Sequence, residues 1–155
     1  MKDDTTGTLG RILLVEDDAK DIDLTLRALD EFRLANEVFV VRDGEEALDY
    51  LYCRGRFANR TSENPAVLLL DIKLPEVDGL EVLQQIKSDE TLRMIPVVML
   101  TSSREERDMV ASYRLGVNAY VVKPVEFQEF VNAIKELGFF WGIINQPPPG
   151  TIEKP

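Results

Sequence analysis

Residues 12–15, 38–41, 66–70, 96–100 and 119–122 form five short runs, almost every position of which is apolar. A strand wetted on one face would alternate between apolar and polar residues. Runs this uniform suit strands covered on both faces, as in a parallel sheet. A helix-like pattern follows each run. Ile22, Leu26 and Leu29 recur at helical spacing after the first, and Ala47, Leu48, Leu51 and Tyr52 after the second. Val82, Leu83 and Ile86 follow the third, Met109, Val110 and Tyr113 the fourth. Phe127, Phe130, Val131, Ile134 and Leu137 stripe the segment after the fifth. Five strand–helix alternations predict an α/β domain, a parallel sheet with helices on both faces. Right-handed crossovers leave few topologies for it. The 155 residues, 45% of them hydrophobic, suffice for one such core.

The punctuation agrees. Residues 1–10 are polar and aperiodic and read as a flexible arm, and residues 11–146 as the domain. Residues 147–155, opening on three prolines, read as a disordered tail. Asp43-Gly44 stops the second strand, residues 54–65 form a polar loop, and residues 75–79 have turn composition. Gly116 closes the fourth helix. Asp18 has the position of a helix cap, and Ser103 with Glu106 that of a capping box.

The chain contains no histidine. That excludes Ser-His-Asp and Cys-His catalysis, histidine metal sites and a phosphohistidine donor. The single cysteine, Cys53, excludes an internal disulfide and a paired-cysteine metal site, and reads as an inert thiol. A net charge of -10 argues against binding nucleic acid or an anionic membrane. With no apolar run long enough to span a bilayer, a cytoplasmic protein is expected.

Chemistry-bearing residues gather at the strand ends. Glu16 and Asp17 follow the first run, Asp71 the third, Thr101 the fourth and Lys123 the fifth. Open parallel sheets bind ligands in the crevice at these ends, so the fold converges residues that are distant in sequence. Two like charges about 4 Å apart cost roughly 4 kcal/mol at an effective dielectric near 20. Either one carboxyl keeps its proton or a cation sits among them. Oxygen donors at an open site suit Mg2+. Carboxylates, a divalent cation, a lysine and a hydroxyl are equipment for phosphoryl transfer, with the central Asp71 as nucleophile. Singly, each residue has an ordinary use: a helix cap, a turn, a surface lysine. Their ordered co-occurrence carries the reading.

Ile12-Leu13-Leu14-Val15-Glu16-Asp17-Asp18, Leu69-Leu70-Asp71-Ile72-Lys73-Leu74-Pro75 with Asp78-Gly79, Met99-Leu100-Thr101-Ser102 and Tyr120-Val121-Val122-Lys123-Pro124 resemble the response-regulator receiver family. The resemblance implies a flavodoxin-like sheet of order 2-1-3-4-5 and phosphorylation of Asp71 by a sensor histidine kinase. It implies Mg2+ held by Glu16, Asp17, Asp71 and the backbone carbonyl of Lys73. It further implies Thr101 and Lys123 on the phosphoryl oxygens, Tyr120 as an aromatic switch coupled to Thr101, and a cis Lys123-Pro124 bond. Such a protein is a phosphoacceptor rather than an enzyme acting on external substrates.

The Arg54–Arg60 loop and the Leu137–Pro148 end resemble stand-alone regulators associated with bacterial phytochromes. Phe139, Phe140, Trp141, Ile143 and Ile144 add apolar surface from about residue 138 that one small domain has little core left to cover. Either the segment folds back and seals its own domain or, as that resemblance favours, it takes part in a homodimer through the fourth helix, fifth strand, fifth helix and C-terminal extension. Two other readings compete. A Mg2+-dependent aspartyl phosphohydrolase requires an Asp two residues after its nucleophile, where this chain has Lys73. A flavin module needs a Gly/Ser/Thr-rich phosphate loop after the first strand, where this chain is acidic.

Overall fold

The computed structural model describes residues 12–32, 37–60, 63–112, 117 and 119–137. The apolar runs are strands β1 (Ile12–Val15), β2 (Val38–Val41), β3 (Val67–Asp71), β4 (Val97–Thr101) and β5 (Ala119–Val122). Between them lie α1 (Ala19–Leu29), α2 (Gly44–Leu51), α3 (Gly79–Ser88), α4 (Arg104–Ser112) and α5 (Phe127–Leu137). The sheet is parallel throughout, in the order β2-β1-β3-β4-β5. β3 and β4 each run one residue past the apolar pattern, because Asp71 still pairs with Leu100 and Thr101 with Val122. The ladder therefore carries both residues into the sheet.

Successive strand residues face opposite sides. Leu13, Val15, Leu68, Leu70 and Met99 pack with buried residues of α2, α3 and α4, such as Leu48, Leu83 and Val110. Ile12, Leu14, Leu69, Val98, Leu100 and Val121 pack with Leu29 of α1 and Phe130 and Val131 of α5. Burial on both faces is what the uniform apolar runs required.

The caps set where each helix starts. The Asp18 side chain accepts the Lys20 and Asp21 amides at 2.8 and 3.0 Å, and that of Asp43 accepts the Glu46 amide at 2.8 Å. At α4 the Ser103 hydroxyl accepts the Glu106 amide at 3.2 Å, but the Glu106 carboxylate reaches back to Ser102, one residue before the position a standard box would use. Two glycines permit close approaches. A Cβ on Gly44 would lie 1.8 Å from the Val77 carbonyl oxygen, and one on Gly79 would lie 2.1 Å from that of Asp71. The Gly79 amide donates to the Ile72 carbonyl at 3.1 Å, which seats the start of α3 directly behind the end of β3.

Three side chains differ from the sequence reading. Tyr52 lies just past α2 and is exposed, its hydroxyl donating to Asp89 at 3.0 Å; Tyr50 is the buried tyrosine. Phe57, inside the expected polar loop, is buried on a 3-10 turn, Gly55–Phe57, against Phe39 and Tyr50. Met109 is exposed while Val110 carries the core contact of α4. The expected arm, Tyr113, Gly116, the side chains of Ile134 and Leu137, the apolar extension from about residue 138 and the proline-rich tail lie outside the described residues.

Candidate functional site at the carboxyl ends of the strands

Glu16 immediately follows β1, and its amide continues toward β2 by donating to the Val41 carbonyl at 3.1 Å. Its side chain is fully buried, whereas Asp17 beside it is exposed. Asp71, at the last position of β3, is buried at 4% exposure. Glu16, Asp17 and Asp71 each offer a carboxylate oxygen within 4.8 Å of the others. Lys123 follows β5 across a cis bond to Pro124, as the resemblance implied. Its amide donates to the Thr101 carbonyl at 2.7 Å, which fixes where the side chain starts. The ammonium then reaches Asp21 at 3.0 Å, Glu16 at 3.2 Å and Asp71 at 3.3 Å.

Asp21 was not among the expected site residues. Its signal was faint but physical: it stands one helical turn after Asp17, in the first turn set by the Asp18 cap. Asp18 itself serves as that cap.

One ammonium facing this many carboxylates leaves a negative excess in a dry place. Burial pushes the Glu16 carboxyl up to about 7, and the charge of Asp71 adds to the rise against the opposing pull of Lys123 and the Asp18 amide. Burial likewise raises Asp71, opposed by Lys123, Glu16 and the Lys73 amide. Burial alone would lower Lys123, but its bond to Asp21 and the charges of Asp71 and Glu16 outweigh it, and the ammonium is held above its ordinary value. With its carboxyl raised to about 7, Glu16 is partly protonated near neutral pH, which is one of the two solutions open to crowded carboxylates. The other is a cation. An all-oxygen donor set at an exposed edge fits a hard divalent ion better than a soft one.

Thr101 is fully buried, and its hydroxyl has no hydrogen-bond partner among the described residues. An unsatisfied buried hydroxyl is costly, and here it stands at the end of the strand paired with β3. Tyr120, half-buried on β5, donates its hydroxyl to the Val117 carbonyl at 3.1 Å, with the Arg107 guanidinium 5.1 Å from its ring centre. The Lys73 side chain extends into solvent and pairs with Glu106 at 3.1 Å. Glu16, Asp17, Asp71 and Lys123 thus form one cluster. Tyr120 is hydrogen-bonded elsewhere.

Residues 12–135 match the family profile described as the response regulator receiver domain. The structure superposes on the bacteriophytochrome response regulator RtBRR with a TM-score of 0.83 and 65% identity, covering 92% of this chain and 86% of that one. The bacteriophytochrome response regulator AtBRR gives 0.84 and 62% identity over 90% and 99% of the two chains. The response regulator Rcp1 of Synechocystis sp. (strain ATCC 27184 / PCC 6803 / Kazusa) is 39% identical over 84% of this chain and 87% of its own length. A crystal structure of its Mn2+-bound form superposes with a TM-score of 0.65 at 36% identity, covering 94% and 99%.

Proposed function

From the premise that this chain belongs to the response regulator receiver domain family, we propose that it is a single-domain response regulator that accepts a phosphoryl group on Asp71 from a sensor histidine kinase. The observation that carries the reading is the cluster itself. Glu16, Asp17, Asp71 and Lys123 converge from the ends of three strands, and burial there raises the carboxyls of Glu16 and Asp71 against the pull of Lys123.

Glu16, Asp17, Asp71 and the Lys73 backbone carbonyl would hold Mg2+. The ion, when bound, supplies positive charge to the oxygens of the transferring group. The chain's own groups do the remainder. An Asp71 carboxylate oxygen forms a bond to phosphorus as the donor's bond to phosphorus breaks, giving an acyl phosphate and releasing the donor group. The Lys123 ammonium, 3.3 Å from Asp71, neutralises phosphoryl charge, and the partnerless Thr101 hydroxyl donates to a phosphoryl oxygen once it moves within reach. Lys123 then exchanges its bond to the free carboxylate for one to the phosphoryl group. Displacement of Thr101 leaves space into which Tyr120 turns, which requires release of its bond to Val117. This remodels the face of α4, β5 and α5.

Signalling then runs through protein contacts of that face. A homodimer through α4, β5, α5 and the C-terminal extension is the proposed assembly. Met109 and Val122 are exposed apolar residues on these elements, in keeping with a contact surface. The relatives' association with phytochromes makes a bacterial phytochrome kinase the first candidate partner. No described helix is long and apolar enough to cross a membrane, and a cytoplasmic site of action fits the reading. Lys73 at the second position after Asp71 speaks against a phosphohydrolase of external substrates.

Acetyl phosphate with Mg2+ should add one phosphoryl group by intact-mass analysis, and Asp71→Asn should abolish it. The same adduct on the variant would reject Asp71 as acceptor. Sedimentation at micromolar concentration should show a dimer; a monomer with and without phosphorylation would reject the assembly.

A further inference from the structure

Glu106 touches both flanks of the site without belonging to it. One carboxylate oxygen accepts the amide of Ser102, the residue after Thr101, at 2.8 Å. The other pairs with the ammonium of Lys73, the second residue after Asp71, at 3.1 Å. The Glu106 side chain is only 11% exposed and its bond to Ser102 is sheltered, whereas the Lys73 side chain that reaches it is 78% exposed, so the ion pair is the outer and weaker half of the contact. Burial pushes the Glu106 carboxyl up, but the Ser102 and Lys73 bonds outweigh it and keep it ionised. The carboxylate therefore staples the loop after β3 to the loop after β4. It does so while the Thr101 hydroxyl, one residue away, is buried with no partner among the described residues.

We propose that Glu106 is a positioning residue, a clasp that with Lys73 holds the β4–α4 loop in its resting placement and so restrains the inward movement of Thr101. The proposal rests on the phosphoacceptor reading and adds a resting-state restraint to it. The physical argument is one of populations. A contact made in one of two states favours that state by the contact's own free energy, and removing it enlarges the other. The Ser102 amide bond and the Lys73 ion pair differ in kind, which allows them to be separated. Glu106→Gln keeps an oxygen for Ser102 and loses the charge for Lys73; Lys73→Met loses the charge from the other side; Lys73→Arg retains it.

The test uses the full chain with acetyl phosphate and Mg2+, reading the rate of adduct formation by intact mass. Amide NMR shifts of Thr101, Ser102 and Tyr120 are recorded on the unphosphorylated protein. Glu106→Gln and Lys73→Met should each raise the rate about two- to fivefold, the range expected when a modest ion pair is lost from the resting state. Both should move the three amide shifts in the direction that phosphorylation moves them. The double variant should exceed neither single variant by more than error, because the two residues make one contact. Lys73→Arg, which keeps the charge, should stay nearer to wild type than Lys73→Met in both rate and resting shifts. Unchanged or slower rates, multiplied effects in the double variant, or a Lys73→Arg protein as perturbed as Lys73→Met would overturn the clasp. A wild-type protein that takes no adduct would instead defeat the phosphoacceptor reading, and the resting shifts of the variants would still decide the clasp. Where Glu106→Gln fails to fold, Lys73→Met carries both measurements.

Discussion

Two of the places in this molecule that bring basic groups onto acidic ones do opposite things. In the segment after α2, Arg54 pairs with Asp49 at 2.8 Å and Arg56 with Glu46 at 3.0 Å. Each arginine has its own carboxylate, and the four side chains are between 30% and 61% exposed. The guanidiniums of Arg54, Arg56 and Arg60 also lie 5.0, 4.4 and 4.0 Å from the ring centres of Tyr52, Phe57 and Tyr50. At the strand ends one partly buried ammonium serves three carboxylates, with a fourth close by. The first arrangement is balanced, wet and structural. The second is unbalanced and dry, and its imbalance gives it something to bind.

Removing a cation should separate the two most sharply. Lys123→Met leaves the carboxylates buried without compensation, and should cost about 3 kcal/mol or more in urea denaturation at pH 8. The loss should shrink at pH 5, where protons take the ammonium's place.

A comparable effect should follow from proton linkage. The Glu16 carboxyl is raised from 4.5 to about 7 in the folded state. Between those values the folded protein holds a proton that the unfolded chain has released, so the contribution of Glu16 to stability falls as pH rises through this window. The fall is on the order of 3 kcal/mol without metal. Glu16→Gln should remove it, so the wild-type-minus-variant difference measured from pH 4.5 to pH 8 isolates the group. A difference flat with pH would place the missing positive charge elsewhere.

Metal should act in the same direction as the proton. At Mg2+ a hundredfold above its dissociation constant, stabilisation should be about 2.7 kcal/mol, read as a rise in Tm. Asp17→Ala should remove most of it, and an undiminished rise in that variant would reject the site. The arginine segment should give the smallest response. Arg54→Ala or Arg56→Ala should cost no more than about 1 kcal/mol, and by the same amount with and without Mg2+.

The difference between these regions also explains what could be read from the amino-acid order. The strands were legible because burial on both faces leaves a one-dimensional mark: Ile12–Val15, buried at every position, begins and ends where its apolar run does, and so does the partly buried Val38–Val41. The convergence of Glu16, Asp17, Asp71 and Lys123 was legible only through the rule that such sheets use their carboxyl ends. Asp21 was not, because a carboxylate in a first helical turn has an ordinary dipole-related use that hides a specific one. Phe57 was hidden by its polar neighbours: burial there comes from two rings distant in sequence, Phe39 and Tyr50, and not from any local period. Tyr52 does not join the stripe that spacing predicts for it, because α2 ends at Leu51; Tyr50 is the buried tyrosine.

The two glycines behind the site have a mechanical consequence. Between them the chain from Asp71 to Gly79 is gripped at both its end and its middle: the Asp71 carbonyl abuts Gly79, and the Val77 carbonyl abuts Gly44. Neither contact has room for a methyl group, so on that side the loop has almost no compliance. Across the site the β4–α4 loop is tied to the loop after β3 through a side-chain carboxylate that bonds an amide and an ammonium. A push delivered at Asp71 meets an anvil on one side and a hinge on the other. Displacement goes where resistance is least, so under the proposed function a phosphoryl group on Asp71 would shift the α4 and β5 side more than the side behind β3.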